Sequence, residues 1–246
     1  MIVLSSAMQK SGTVWLHNMV SDLLVASGYG HIKDFREKYR LAWFVRPNGH
    51  VPKLRFYKLA QLLIPHLAGN TFAVTTHAPP TDLVKYLISR GTIRSIYIYR
   101  DPRDVARSLF EHGEYLRREK IRSSTQFDKL HSMEDAIHMA HSLIRVWETW
   151  SRIQDAHLLT YEDLRQNPFR EMQKIARFLS LDPSPDALQG IIDHYDANKQ
   201  KAGSYKDLHF NRAVVGRWRE VMDEGQIELC SQLFGGDLEK MGYDQV

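Results

Sequence analysis

Short runs of apolar and β-branched residues alternate along this chain with stretches that have the periodicity of amphipathic helices, and this alternation limits the folds open to it. The predicted strands are residues 2–6, 71–76, 95–99 and 158–161, and the predicted helices are residues 14–27, 102–118, 134–153 and 168–179. Such alternation is typical of a parallel sheet covered by helices on both faces. We therefore predict an α/β fold with a central parallel β-sheet, and we expect its ligands at the carboxyl ends of the strands.

Composition narrows the class of protein further. The chain has 246 residues, of which 43% are hydrophobic, and neither an internal repeat nor a linker divides it, so we predict one domain over residues 1–246. No leader sequence is evident and no apolar run approaches the roughly 18 residues of a membrane span. We expect a soluble, cytoplasmic protein whose one cysteine, Cys230, is buried in a helix. The net charge of +4 suits an anionic ligand but is too dispersed to indicate nucleic acid, and the oligomeric state stays open.

Two stretches depart from the alternation. Residues 31–69 mix aromatic with basic residues, and Pro47, Gly49 and Pro52 are expected to break any helix there. This stretch is predicted to be an insertion that caps a substrate site, or else ordinary core aromatics beneath a solvated face. Residues 196–217 are polar, basic and aperiodic, which is typical of a loop that covers a ligand.

The first predicted strand turns into the first predicted helix through AMQKSGTVW, residues 7–15. Gly12 lets the backbone approach a ligand closely, and the free amides and positive dipole end of the helix favour an anion. Lys10 adds a cation, and Ser11 and Thr13 add hydroxyl donors. A Walker loop needs its lysine after a second glycine, so a nucleoside triphosphate kinase is disfavoured. A lysine in such a turn is also common on solvated surfaces.

A second candidate anion site follows the strand at residues 95–99, in the stretch YRDPRDVARS, residues 99–108. Arg100 leaves the end of the strand, where its guanidinium can bind a phosphate through two parallel hydrogen bonds. Pro102 suits the first turn of the following helix, and Ser108 lies about two turns in. The alternative is a salt bridge from Arg100 to Asp101 or Asp104.

Taken together, these stretches resemble the sulfotransferase family. AMQKSGTVW resembles the family's 5′-phosphosulfate loop, P-K-[ST]-G-T-[TS]-[WL], and YRDPRDVARS resembles its 3′-phosphate motif, R-[ND]-P-[KR]-D-x-x-x-S. VTTHAPP, TYEDLRQNPFREMQKIARFL and NRAVVGRWRE are similar to three further family segments, in the same order. The resemblance spans most of the chain and is weakest over residues 31–69 and 113–150.

The resemblance implies a P-loop-like sulfotransferase fold, and it implies that the chain catalyses a sulfuryl transfer. A sulfuryl group would pass from 3′-phosphoadenosine 5′-phosphosulfate (PAPS) to a hydroxyl or amine of a small-molecule acceptor, leaving adenosine 3′,5′-bisphosphate (PAP), with no metal. By resemblance, His77 is the general base and Lys10 neutralises the departing phosphate. The donor-binding residues implied are Lys10, Ser11, Gly12, Thr13, Val14 and Trp15 in the loop, Arg100 and Ser108 at the 3′-phosphate, Trp15 together with Tyr161 beside the adenine, and Arg212, Ala213 and Gly216 in the late loop.

Several positions depart from the family pattern. Gln9 and Val14 replace a proline and a threonine of the loop, and Thr75 replaces a lysine two residues before the histidine. In the late loop the family's R-K-G reads Asn211, Arg212 and Ala213. A phosphoryl-transferring P-loop enzyme and a non-catalytic nucleotide-binding module remain the competing hypotheses. The acceptor is left open, because aromatic residues in 31–69 suit an apolar acceptor and the basic residues suit an anionic one.

Overall fold

A computed structural model of the chain describes residues 1–121, 126–195 and 214–245, which divide into two compact units. The first unit holds residues 1–99 and 149–195, and the second holds residues 100–121, 126–148 and 214–245. The elements in chain order are β1 (Ile2–Ala7), α1 (Thr13–Ala26), α2 (Ile32–Lys38), α3 (Phe56–Leu67), β2 (Phe72–Thr76), α4 (Asp82–Ser89), β3 (Ile93–Tyr99), α5 (Pro102–Arg118), a 3₁₀ helix (Gln126–Lys129), α6 (Met133–Ser151), β4 (Ala156–Thr160), α7 (Tyr161–Gln166), α8 (Pro168–Phe178), α9 (Pro185–His194), α10 (Trp218–Val221) and α11 (Glu224–Lys240).

The first unit is built on a parallel sheet whose described strands follow the order β2-β1-β3-β4. Each predicted strand is present, and no end of a strand differs from its predicted position by more than two residues. Ser6 of β1 pairs with Thr76 of β2, so these two strands end side by side. The residues that follow them, the loop after Ala7 and His77, therefore leave the same edge of the sheet.

Helices cover both faces of this sheet. On one face, buried side chains of α1, α8 and α9 form one apolar cluster with Val3, Ala73 and Ile96 of the strands. On the other face, the rings of Phe72 and Phe35 lie 5.6 Å apart, and Tyr97 stacks on Trp150 at 5.7 Å. The predicted fold class, a parallel sheet flanked by helices, is confirmed.

The expectation that no helix forms in residues 31–69 was wrong. Helix α2 begins with a capping box made by His31 and Asp34, and α3 contains Pro65 within its last turn. The breaking effect of the prolines and Gly49 is confined to residues 39–55 between these helices. There Val51 donates to the Thr75 carbonyl at 2.8 Å and Thr75 to the Gly49 carbonyl at 3.0 Å, which attaches this segment to the edge of β2.

The second unit contains α5, which has the predicted bounds. Asp101 caps it by accepting a hydrogen bond from the Arg103 amide at 2.9 Å, and Pro102 occupies the first turn. Cys230 of α11 is buried as predicted, and burial raises the pKa of its thiol to about 12. None of the helices in the described part of the chain is long and apolar enough to span a membrane.

Candidate active site

The loop between β1 and α1 is held by backbone hydrogen bonds. Met8 donates to the Ile98 carbonyl of β3 at 2.9 Å, and Ser11 donates back to the Met8 carbonyl at 3.3 Å. Lys10 and Gly12 both have positive φ angles, 65° and 79°, so the chain turns sharply on both sides of Ser11. Gly12 is the N-cap of α1, which has neither a side-chain cap nor an acidic residue in its first turn. The positive end of the helix is therefore not compensated by an acidic side chain in that turn.

Two aromatic residues pack beside this loop. A Cβ atom on Gly12 would lie 2.9 Å from Cδ2 of Tyr161, so the ring of Tyr161 reaches the loop where only glycine leaves room. The rings of Trp15 and Tyr161 meet edge to face with centroids 6.0 Å apart. The structure thus brings together two residues that are far apart in the sequence and that the family resemblance assigns to the adenine.

The hydroxyl groups of the loop are placed differently from one another. Ser11 is fully buried, and its Oγ has no hydrogen-bond partner among the described residues. Thr13 and Val14 are half-buried at the start of α1. A buried polar atom without a partner costs free energy, which an anion bound at the loop would recover. The loop therefore fits an anionic ligand.

His77 lies directly after β2 at the edge where the loop also begins. Its Nδ1 lies 2.9 Å from the Ala7 carbonyl, which can only accept a hydrogen bond, so Nδ1 carries the proton in the neutral ring. The Nε2 atom then carries the lone pair that a general base needs. The pKa of His77 is lowered from 6.5, chiefly because burial disfavours the cation; the bond to Ala7 opposes this shift, and the charge of Lys10 adds to it.

A second histidine, His50, was missed by the sequence analysis. Its ring centroid lies 5.3 Å from that of His77, and its segment bridges to Thr75. The pKa of His50 is lowered to about 4, first by burial and then by the nearby His77 and Arg46. Thr75, which stands where the family has a lysine, donates to the Ser5 carbonyl at 2.6 Å and is a buried sheet residue.

In the second unit, Arg100 forms the salt bridge that was the alternative interpretation of this motif. Its Nη2 lies 3.1 Å from Oδ2 of the buried Asp104 and donates to the Val214 carbonyl at 2.9 Å. Asp101 pairs with Arg103 at 2.8 Å. Ser108 lies buried on the same helix, α5.

Asp104 organises this unit's candidate site, and the sequence analysis gave it no such role. Besides Arg100, it accepts hydrogen bonds from the amides of Gly216, at 2.7 Å, and Trp218, at 3.1 Å. Arg107 lies within 3.9 Å of the same carboxylate. One carboxylate thus orients an arginine and fixes the backbone at Gly216. The only sequence signal was its place in the family motif.

The remaining predicted residues, Arg212 and Ala213, lie outside the described residues, as does most of the loop predicted over residues 196–217. Among the residues that the structure does describe, no cluster of His, Cys, Asp or Glu side chains could hold a metal ion.

Comparison with known proteins identifies the family. The family model described as the sulfotransferase domain matches residues 2–243, and the chain belongs to this family. It is 25% identical over 154 residues to sulfotransferase 4A1 of Mus musculus, an alignment that covers 60% of this chain and 52% of that protein. The chain thus spans about half the length of this relative. It is 26% identical over 236 residues to sulfotransferase 1B1 of Canis lupus familiaris, covering 89% of this chain and 77% of that protein.

Solved structures of the same fold are similar over nearly the whole chain. Retinol dehydratase in complex with androsterone and inactive cofactor PAP superimposes with a TM-score of 0.61 at 19% identity, covering 97% of this chain and 80% of that one. Mouse sulfotransferase SULT7A1 complexed with PAP gives a TM-score of 0.59 at 19% identity, covering 97% and 84%. At this identity the likeness shows the fold, and it confirms the predicted sulfotransferase fold.

Proposed function

We propose that this chain transfers a sulfuryl group from PAPS to a hydroxyl or amine of a small-molecule acceptor. The observation that carries the proposal lies at the edge of the sheet where β1 and β2 both end. The loop that contains Lys10 begins there, and so does His77, whose Nε2 lone pair is available because Nδ1 donates to Ala7. The donor supplies a sulfuryl group whose bond to a phosphate oxygen breaks as the acceptor oxygen or nitrogen attacks the sulfur. Residues of the chain would bind the donor, stabilise the charge on the departing phosphate and remove the proton of the acceptor.

Lys10 and the first-turn amides of α1 stabilise the negative charge that builds on the departing phosphate. Fixed positive groups stabilise a transition state more than a ground state when the charge they face grows during the reaction. The acid-free first turn of α1 and the buried Ser11 hydroxyl support this role. Trp15 and Tyr161, which pack on one another, would lie beside the adenine.

His77 takes the proton of the attacking hydroxyl at Nε2. Because its pKa is lowered, the ring is neutral at neutral pH and able to accept a proton. The bond from Nδ1 to Ala7 holds the ring in the required tautomer. A positioned general base contributes roughly 10²-fold to 10⁴-fold in rate.

Arg100 and Ser108 hold the 3′-phosphate of the donor, with Arg212, Ala213 and Gly216 covering it. Asp104 orients the Arg100 guanidinium through Nη2. Arginines also outnumber carboxylates in this part of the second unit. Arg100, Arg107 and Arg217 meet Asp104 and Glu111 in the salt bridges observed, and this excess of positive charge supports a phosphate ligand.

Donor binding is tested by thermal shift with PAP against ADP and 5′-AMP. A ligand at about 100 times its dissociation constant adds roughly 2.7 kcal/mol to the free energy of unfolding. We expect a large shift for PAP alone, and its loss in Arg100→Ala. Equal shifts for the three nucleotides would contradict a 3′-phosphate site.

Catalysis is tested by donor-dependent sulfation of an acceptor panel. We expect His77→Ala to lose roughly 10²-fold to 10⁴-fold in rate while its PAP shift is retained. His138→Ala, at an exposed position of α6, is the matched control and should keep full activity. A PAP shift without sulfation of any acceptor would favour the non-catalytic nucleotide-binding module.

A further inference from the structure

A cavity of about 520 Å³ opens in the first unit beside the residues that follow His77. Ala78 and Pro79, the two residues after the histidine, form one wall. Leu54, which precedes α3, and Phe56, the first residue of α3, also line the cavity and contribute apolar surface. Phe56 is 73% exposed, so its ring is accessible to a ligand in the cavity. The cavity therefore offers apolar surface next to the candidate base.

Lys53 and Arg55 also line this cavity and give it a positive charge. Both are exposed, and neither forms an ion pair with any residue that the structure describes. Arg55 is the N-cap of α3, whose first turn contains no acidic residue, so the positive end of that helix adds to the two cations.

The sequence around the cavity reinforces this charge. Residues 38–81 contain six lysines and arginines and no aspartate or glutamate, whereas the whole chain has a net charge of only +4. The first acid after this stretch, Asp82, is exposed and paired with Lys85 at 3.0 Å. Asp82 lies between Thr81 and Leu83, which also line the cavity, but no carboxylate is among the lining residues themselves.

We infer that the acceptor of this protein is an amphipathic molecule that carries an anionic group, such as a carboxylate or a phosphate, on an apolar body. This inference rests on the proposed function. The anionic group binds Lys53 and Arg55, the apolar body packs against Leu54 and Phe56, and the hydroxyl points toward His77. A neutral acceptor of the same shape leaves the two cations without a partner and binds less tightly.

Matched acceptor pairs test the inference in sulfation assays at saturating donor. One pair is para-ethylphenol and para-hydroxyphenylpropanoate, and the other is a linear alkanol and the ω-hydroxy fatty acid of equal length. We expect the anionic member of at least one pair to have kcat/KM about tenfold higher, since two exposed charge contacts each contribute up to about a factor of five. Lys53→Gln with Arg55→Gln should remove this preference through KM and leave the neutral members nearly unchanged.

Arg170→Gln with Arg177→Gln is the matched control, because it removes two exposed positive charges from α8, away from the cavity lining. It should leave the preference intact. Thermal shifts of the same acceptors in the presence of PAP provide a readout that does not need turnover. Equal shifts or no shift for both members of each pair, or a preference that survives in the cavity double variant, would overturn the inference. These outcomes can be told apart from a failure of the proposed function, which would appear as the absence of a PAP thermal shift or of sulfation of any acceptor.

Discussion

The two candidate anion sites of this protein are formed by different chemical groups, backbone amides in one and arginine side chains in the other. The loop after β1 uses backbone amides, two positive φ angles and a helix N-terminus without an acidic residue in its first turn. The site after β3 uses arginine side chains that a buried carboxylate, Asp104, orients. The first site should therefore tolerate side-chain changes, because peptide groups are present whatever the sequence. The second should depend on a single residue.

The departures from the family pattern agree with this contrast. In the loop, Gln9 and Val14 replace family residues, yet Gly12 keeps its left-handed conformation and its contact with Tyr161. At the second site the motif residues from Arg100 to Ser108 are all present. A change at Asp104 would disturb an arginine and two backbone amides at once.

The largest effect is expected from Asp104→Asn, which keeps the shape of the side chain and removes its charge. Arg100 and Arg107 would lose a buried counter-charge, and breaking a buried ion pair in this way typically costs about 3–5 kcal/mol. Urea unfolding followed by circular dichroism measures the loss. The exposed Glu239→Gln on α11 is the control and should change little. If the two variants were equally stable, the second site would not depend on its carboxylate.

The next effect concerns the loop site, where Lys10 is the side chain expected to matter most. Lys10→Met should lower kcat by roughly 10²-fold to 10³-fold, because its cation faces charge that develops only in the transition state. The PAP thermal shift should fall far less, since we expect the backbone amides at the N-terminus of α1 to supply most of the contacts with PAP. Lys33→Met, on the exposed face of α2, is the control. A loss of PAP binding as large as the loss in kcat would break the contrast between the two sites.

Features of these sites that depend on residues close in sequence could be predicted from the sequence, whereas those that depend on residues far apart along the chain could not. The strands, the bounds of α5 and the place of Pro102 in its first turn were predictable because they depend on residues close in sequence. The role of Asp104 was not, because its partners at Gly216 and Trp218 are more than a hundred positions away along the chain. The only sequence signal for Asp104 was its position in the 3′-phosphate motif of the family.

Two features of the first unit escaped prediction for different reasons. Helices α2 and α3 were not predicted, because Pro47, Gly49 and Pro52 suggest a break over the whole stretch although they act only between the helices. The approach of His50 to His77 depends on the bridge to Thr75 at the edge of β2, and an irregular segment carries no local signal for such a bridge.

The unit that holds the loop site should lose stability in acid, because it contains a buried histidine. Helix α1, which bears the loop site, contains the buried His17, whose two ring nitrogens have no hydrogen-bond partner among the described residues. Burial, followed by the charges of His31, His50 and Lys33, lowers the pKa of His17 to about 3. Below about pH 6.5 the unfolded chain binds a proton that the folded chain does not, so the free energy of unfolding falls as pH falls.

The expected size of this effect is roughly 1 kcal/mol per pH unit between about pH 6 and pH 4, about half of that at pH 6.5, and close to zero by about pH 8. His17→Leu should remove that part of the slope, as measured by urea unfolding at several pH values. His138→Leu, at an exposed position of α6, should keep the wild-type slope. An unchanged slope in His17→Leu would mean that His17 does not make the first unit sensitive to acid.

The smallest effect is expected from restoring the family's hydroxyl at the loop with Val14→Thr. If backbone amides dominate this site, one added donor on the half-buried first turn of α1 should tighten PAP binding by only about 1 kcal/mol, or about fivefold. Calorimetric titration with PAP measures the gain, and Val14→Ala serves as the control because it changes the side chain without adding a donor. A gain of a hundredfold would show that side-chain donors, and not peptide groups, carry the loop site. In that case Val14 would be the residue that limits donor binding in this chain, and the contrast between the two sites would disappear.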